Sequence, residues 1–237
     1  MTFPNFTSPT PFPPFSTLPL ISSPPTSSTV KPTYLLGTIQ ENMTLTPKTP
    51  TFICRDRENE PFAITLKLRD GQTGEGASVS EAKTGTNGEN NFFEHAQGRK
   101  AFTKGKCVVI KNGKRKGSQE PNEAEGKKGK KGFVEGGWEG GEGGVEGGVC
   151  VIPTSLEKLM DLTIRLATEG GIRRCQGCGK VEEKMTRCKG CEEVWYCGKD
   201  CQVKGWTEGG HKSECKVLKA VKEIFGSEEL GDDGFGR

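Results

Sequence analysis

Seven of the ten cysteines and one of the two histidines lie between Cys175 and Cys215. They fall into four pairs: Cys175/Cys178, Cys188/Cys191, Cys197/Cys201 and His211/Cys215. Two pairs have the C-x-x-C spacing of a zinc knuckle, and the other two are spaced i,i+4, which places both ligands on one face of a helical turn. Eight ligands complete two tetrahedral shells with no position left for a water or a substrate. The expected cofactor is therefore zinc, two ions per chain, in structural rather than catalytic sites.

A disulfide framework is the competing use of so many cysteines, and it belongs to an oxidising compartment reached through an entry signal. The N-terminus has neither a basic n-region nor a continuous apolar h-region, and prolines interrupt it throughout, so the chain is expected not to be secreted. A histidine in register with the cysteines also has no place in a disulfide scheme. No stretch approaches the roughly 18 uninterrupted apolar residues of a membrane span. Which ligands share a metal is left open by spacing, because consecutive pairs and alternate pairs both fill two shells.

The order of ligand types is more selective. The lone histidine is the seventh ligand, whereas a RING finger has its histidine near the middle and a PHD finger has it fifth. The stretch CQGCGKVEEKMTRCKGCEEVWYCGKDCQVKGWTEGGHKSEC resembles the MYND zinc finger, with Tyr196 before Cys197, Gln202 after Cys201, then Trp206, and HK shortly before the last cysteine. The interval between Trp206 and His211, filled by TEGG, is longer than the commonest form of that motif. The resemblance implies alternate ligation: Cys175, Cys178, Cys197 and Cys201 on one zinc, and Cys188, Cys191, His211 and Cys215 on the other. It also implies a groove for proline-containing peptides that uses Lys189, Gln202 and Trp206.

So short a segment cannot bury enough apolar surface to fold alone, and structural zinc contributes on the order of 10–16 kcal/mol that becomes folding free energy. The finger is expected to be unfolded without metal, with Val194, Trp195, Tyr196 and Trp206 split between a small core and an exposed face.

The elements that must position the finger are less plain. Hydrophobic content of 31% and mean hydropathy of −0.61 are low for a chain that packs throughout. Residues 1–33 hold nine of the fourteen prolines and a single charge, Lys31, and read as a disordered tail of polyproline character. Its TLPLI stretch, residues 17–21, looks like a ligand for the finger's own groove.

Residues 34–153 carry β-rich runs, YLLGTI, TFICRD, PFAITLKL, KCVVIKN and VCVIP, with a hairpin turn at RENE, residues 57–60. They predict a small antiparallel β domain in the form of a half-open, OB-like barrel. Such a β segment ahead of the finger is similar to the arrangement of fungal MYND proteins. Cys54, Cys107 and Cys150 fall in or beside these runs and read as buried, reduced thiols.

A disordered basic and glycine-rich insert is expected at about 113–148. The window from Arg99 to Lys131 holds twelve Lys and Arg against three Glu, and Lys114 to Lys116 with Lys127 to Lys131 form a two-part basic cluster resembling a nuclear import signal. The expected location is nucleus or cytoplasm. An amphipathic helix follows at 154–169, with Thr154 and Glu157 as a capping box and Leu156, Leu159, Met160, Thr163, Leu166 and Ala167 on one face. After the finger come a second helix at 216–225 and a disordered acidic tail at 226–237.

The fold class is thus α+β: a small β domain plus a C-terminal two-zinc finger, joined to long disordered segments. The function expected is a protein-interaction adaptor in transcriptional or regulatory complexes, binding proline-containing peptides and not acting as an enzyme. Two other readings differ in class. A nucleic-acid-associated regulator would use the β domain and basic insert, and a lysine methyltransferase would need SET-domain motifs, which the sequence does not show.

Overall fold

The computed structural model describes residues 4–22, 31–46, 49–68, 100–117, 132–138, 148–169 and 174–226. Seven strands form one mixed sheet: β1 (Tyr34–Asn42), β2 (Thr51–Arg55), β3 (Pro61–Leu68), β4 (Cys107–Lys111), β5 (Arg115–Lys116), β6 (Phe133–Trp138) and β7 (Val149–Ile152). Their order is β5-β6-β3-β2-β1-β4-β7, antiparallel except for the parallel pair β3/β6. A flat sheet would hold β6 and β7, five spacings apart, at about 24 Å. Some of their Cα atoms instead lie within 8 Å, so the sheet curls toward a barrel.

Alternation along the strands sorts the side chains into two cores. Leu35 and Ile39 of β1, Phe52 and Cys54 of β2, Phe62, Ile64 and Leu66 of β3, Val108 and Ile110 of β4 and Val134 of β6 fill the inside of the curl. Tyr34, Leu36, Cys107, Val109 and Ile152 face the other way and carry the helical layer. Cys54 and Cys107 are accordingly buried on opposite faces, and burial raises both thiols, that of Cys107 to about 12.

The helical layer consists of α1 (Leu156–Glu169), α2 (Lys199–Thr207) and α3 (His211–Phe225). Leu156, Leu159 and Leu162 of α1 and Val217, Leu218, Val221 and Phe225 of α3 share one apolar cluster with the outer face of β1, β4 and β7. The cap of α1 sits one residue later than the capping-box reading. Ser155 Oγ accepts from the Lys158 N–H at 3.3 Å, while the Thr154 N–H donates to the Ile152 carbonyl. The Leu156 N–H is taken by Thr38 Oγ1 of β1, which ties the helix start to the sheet.

Two segments expected to be disordered are in part packed. Within residues 4–22, Phe6, Phe12, Phe15 and Leu18 are each at most 4% exposed. The strap is a run of turns with one 3-10 turn at Phe15–Thr17, and its prolines restrict the backbone beforehand, so it gives up less entropy while burying four large side chains. Phe15 stacks on Phe62 at 5.2 Å, and Phe6 and Phe12 pack against Phe225. The TLPLI stretch lies along the sheet edge and not on the finger: Leu18 enters the barrel core, the Arg115 N–H donates to the Pro19 carbonyl, and the Ile21 N–H donates to the Arg115 carbonyl.

The second segment is the insert. It supplies β5 and β6, because Phe133–Trp138 pairs in parallel with β3 and Val134 fills the barrel. A parallel pairing needs a distant partner, so local glycine content cannot reveal it. Lys127 to Lys131, residues 139–147 and residues 227–237 lie outside the described residues.

Asp56 joins strap and sheet. Its Oδ1 accepts from the N–H groups of Glu58 and Glu60, closing the β2–β3 turn in which Asn59 takes a φ of 62°, and its Oδ2 accepts from the Phe15 N–H at 2.8 Å. The RENE turn is therefore organised by the residue just before it.

Candidate metal centre

Each C-x-x-C pair is built by the same local turn. The Gly179 N–H returns to the Cys175 carbonyl at 2.7 Å, and the Glu192 N–H returns to the Cys188 carbonyl at 2.8 Å. Both closing residues have positive φ, 74° at Gly179 and 63° at Glu192. The second knuckle lies in the loop of a two-stranded ribbon, β8 (Thr186–Arg187) with β9 (Trp195–Tyr196), so that Cys188 follows one strand and Cys197 the other. The first knuckle lies beside β9, where the Gln176 N–H donates to the Trp195 carbonyl at 2.9 Å.

Both i,i+4 pairs lie at helix starts, but only His211 and Cys215 share a helical turn as the spacing predicts. Cys197 precedes Gly198, the N-cap of α2, and Cys201 lies in that helix's first turn. His211 opens α3, and Cys215 lies one turn on. The TEGG interval is the corner between α2 and α3, where Gly210 takes a φ of 72° that an L side chain rarely adopts.

These turns bring Cys175, Cys178, Cys197 and Cys201 into one cluster and Cys188, Cys191, His211 and Cys215 into another, the ligand atoms of each lying within 4.8 Å of one another. The arrangement alternates, so the chain crosses between the two sites. Tetrahedral zinc with ordinary bond lengths sets S···S edges of about 3.8 Å and S···N edges of about 3.6 Å. The structure has Cys178 to Cys197 at 3.7 Å, Cys188 to Cys215 at 3.8 Å and Cys191 Sγ to His211 Nε2 at 3.6 Å, with Cys197 to Cys201 tighter at 3.3 Å. Thiolate donors with one imidazole suit zinc, and two ions complete both sets.

The sites differ in exposure. All four ligands of the second are buried, whereas Cys178 and Cys197 of the first face solvent. One thiol in each cluster is lowered. Burial acts to raise Cys175, but the N–H groups of Cys197, Cys178 and Gly177 outweigh it and hold the thiol at about 6. Burial likewise opposes the lowering of Cys188, which the Cys191 and Gly190 N–H groups bring about. Burial pushes Cys191 up to about 12, and the hydrogen bond with Cys201 does the same to Cys197. Gathered thiols resist further negative charge, and a bound cation reverses that preference. Burial also lowers His211, which favours the neutral ring that can donate Nε2 to a metal.

The aromatic residues of the finger divide by role. Val194 and Tyr196 are buried, Tyr196 with its ring 6.0 Å from that of His211. Trp195 is half-buried beneath the Arg187 guanidinium at 4.5 Å. Trp206 meets the His211 ring edge-on at 5.8 Å and remains 37% exposed. Gln202 lies one turn before it on α2 and is half-buried, while Lys189 is exposed in the second knuckle. Val203, 55% exposed on the same helix, and Val181, 56% exposed, are apolar surface that ligand spacing did not single out. The i,i+3 relation of Val203 to Trp206 was the available signal.

Residues 175–215 match the model of the MYND finger. Curated relatives align over the same region. A histone-lysine N-methyltransferase (ASHR1) of Arabidopsis thaliana is 40% identical over 50 residues, 21% of this chain and 10% of its own. SET domain and MYND-type zinc finger protein 6 of Schizosaccharomyces pombe is 41% identical over 51 residues, 22% of this chain and 10% of its own. An F-box protein of Arabidopsis thaliana is 38% identical over 69 residues, 27% of this chain and 20% of its own. The chain thus spans a tenth to a fifth of the length of these relatives, and the likeness to the methyltransferases is confined to the finger. No solved structure matches the chain. At residues 175–215 the chain carries a MYND-type zinc finger, a two-zinc protein-interaction module.

Proposed function

We propose that the chain is an adaptor whose finger holds short proline-containing peptides of other proteins, in transcriptional or regulatory complexes. The observation that carries this reading is Trp206. Its indole is held edge-on by a buried metal ligand, yet more than a third of it stays open to solvent. A fixed, half-exposed indole stacks on a proline ring with little loss of side-chain freedom. Gln202 one helical turn away offers an amide to an extended backbone, and Val203 extends the apolar surface. Lys189 adds a positive charge that favours acidic residues flanking the proline.

Calorimetric titration of the zinc-loaded full chain with a proline-leucine peptide tests the reading. Trp206→Ala is expected to abolish binding while leaving two zincs in place, and a peptide with alanine for proline is expected not to bind. Equal affinity of the wild type and the Trp206 variant would overturn the groove.

A further inference from the structure

α3 has a task at each end. Its first turn supplies His211 and Cys215 to the second metal cluster, and its last residue is Phe225, 1% exposed. Fifteen residues at about 1.5 Å each separate these tasks by roughly 21 Å. Between them Val217, Leu218 and Val221 are buried in the cluster shared with β1, β4, β7 and α1. The far end is closed by three rings, all in edge contact: Tyr34 of β1 at 5.0 Å from Phe225, Phe6 at 5.5 Å and Phe12 at 5.8 Å. Phe6 and Phe12 also pack on each other at 4.9 Å.

We infer that Phe6 and Phe12 of the N-terminal strap are positioning residues for the Cys188, Cys191, His211 and Cys215 site, acting through Phe225 and the rigid body of α3. A zinc site tolerates errors of only a few tenths of an ångström in ligand position, and two of these four ligands ride on one helix. The docking of that helix is therefore part of the metal site. The strap clamps the end of α3 away from the ligands, and the Tyr34 N–H, bonded to the Pro11 carbonyl at 2.7 Å, anchors the clamp to the sheet. The other cluster draws its helical ligand, Cys201, from α2, whose Trp206 ring meets His211 of the near end of α3 and not the rings at its far end, so the effect falls mainly on the second site. The coupling is also reciprocal: whatever loosens the second site loosens the strap.

The test uses the full chain loaded with cobalt, whose visible bands distinguish four-thiolate from three-thiolate, one-imidazole coordination, and follows metal release to a chelator. In the Phe6→Ala/Phe12→Ala variant, release from the imidazole-containing site is expected to accelerate about tenfold or more, the scale seen when outer-shell support is removed. Release from the four-thiolate site is expected to keep its rate, and Phe12→Leu is expected to restore most of the loss. Equal acceleration at both sites, or no change at either, would overturn the inference. Should the double variant not fold, hydrogen exchange on Cys215→Ser decides. Faster exchange at the Ser8 and Tyr34 amides, with the β2–β3 amides unchanged, supports the coupling, and unchanged strap amides refute it.

Discussion

The guanidinium of Arg165 on α1 lies 2.6 Å from the carboxylate of Glu214 on α3, one residue before Cys215 of the second metal cluster. It is a tie between the helix that follows the barrel and the helix that completes the finger. Both side chains are partly open, at 37% and 27% exposure, so solvent screens the pair. Arg165→Ala is expected to lower stability by no more than about 1 kcal/mol in denaturant titration while leaving two zincs bound. The apolar contacts around Leu159, Leu218 and Phe225 carry the docking instead.

Alternate ligation has a direct signature in metal content. Cys175→Ser and Cys188→Ser are each expected to bind one zinc by native mass spectrometry. The combined variant separates the two ligation schemes. With the clusters as placed here it damages both sites and retains no zinc, whereas consecutive pairing would put both cysteines on the same ion and leave one zinc bound.

Asp56 is a buried carboxylate that accepts three backbone N–H groups, from Phe15, Glu58 and Glu60. Asp56→Ala leaves those donors without their charged acceptor, which costs about 1.5–3 kcal/mol per such interaction where water cannot enter. The thermal midpoint is expected to fall by several degrees, and the Phe15 amide is expected to exchange faster than the amides of β1.

Gly205 lies in α2, where helix propensity alone favours alanine by about 1 kcal/mol. A Cβ there would stand 2.6 Å from Cε1 of Tyr196, a ring that is fully buried. Overpacking of this kind costs about 1–3 kcal/mol, so Gly205→Ala is expected to destabilise the finger in chemical denaturation despite the better helix former. Gly177→Ala is expected to cost the first zinc, because its Cβ would collide with the backbone carbonyl oxygen of Cys201.

Lys114 to Lys116 and Lys127 to Lys131 remain a proposal for nuclear import. Arg115 and Lys116 form β5, and Arg115 Nε donates to the Leu18 carbonyl at 3.0 Å, so changing the first cluster would also disturb the strap. The cleaner test changes only Lys127, Lys128, Lys130 and Lys131 to alanine in a fluorescent fusion. Loss of nuclear enrichment is the expected result, and an unchanged distribution would refute the signal.

Ligand chemistry was legible in the chain itself because it is local. C-x-x-C and i,i+4 pairs close within single turns, so residue type and spacing were enough to expect two structural zincs. The runs that became β1 to β4 and β7 were legible for a similar reason, since short runs rich in β-branched and aromatic residues bounded by turn residues read as strands without any distant partner. Which pairs share an ion could not be read from spacing, because it depends on how the β8–β9 ribbon and two helix starts meet. The strap and β6 were misread for the same physical reason. Proline-rich and glycine-rich composition reports the entropy a segment must lose, but not the apolar surface a distant partner offers in return. Phe6 and Phe12 gain theirs from Phe225, over two hundred residues away, and Val134 from a barrel interior that β6 reaches only by pairing in parallel with the distant β3.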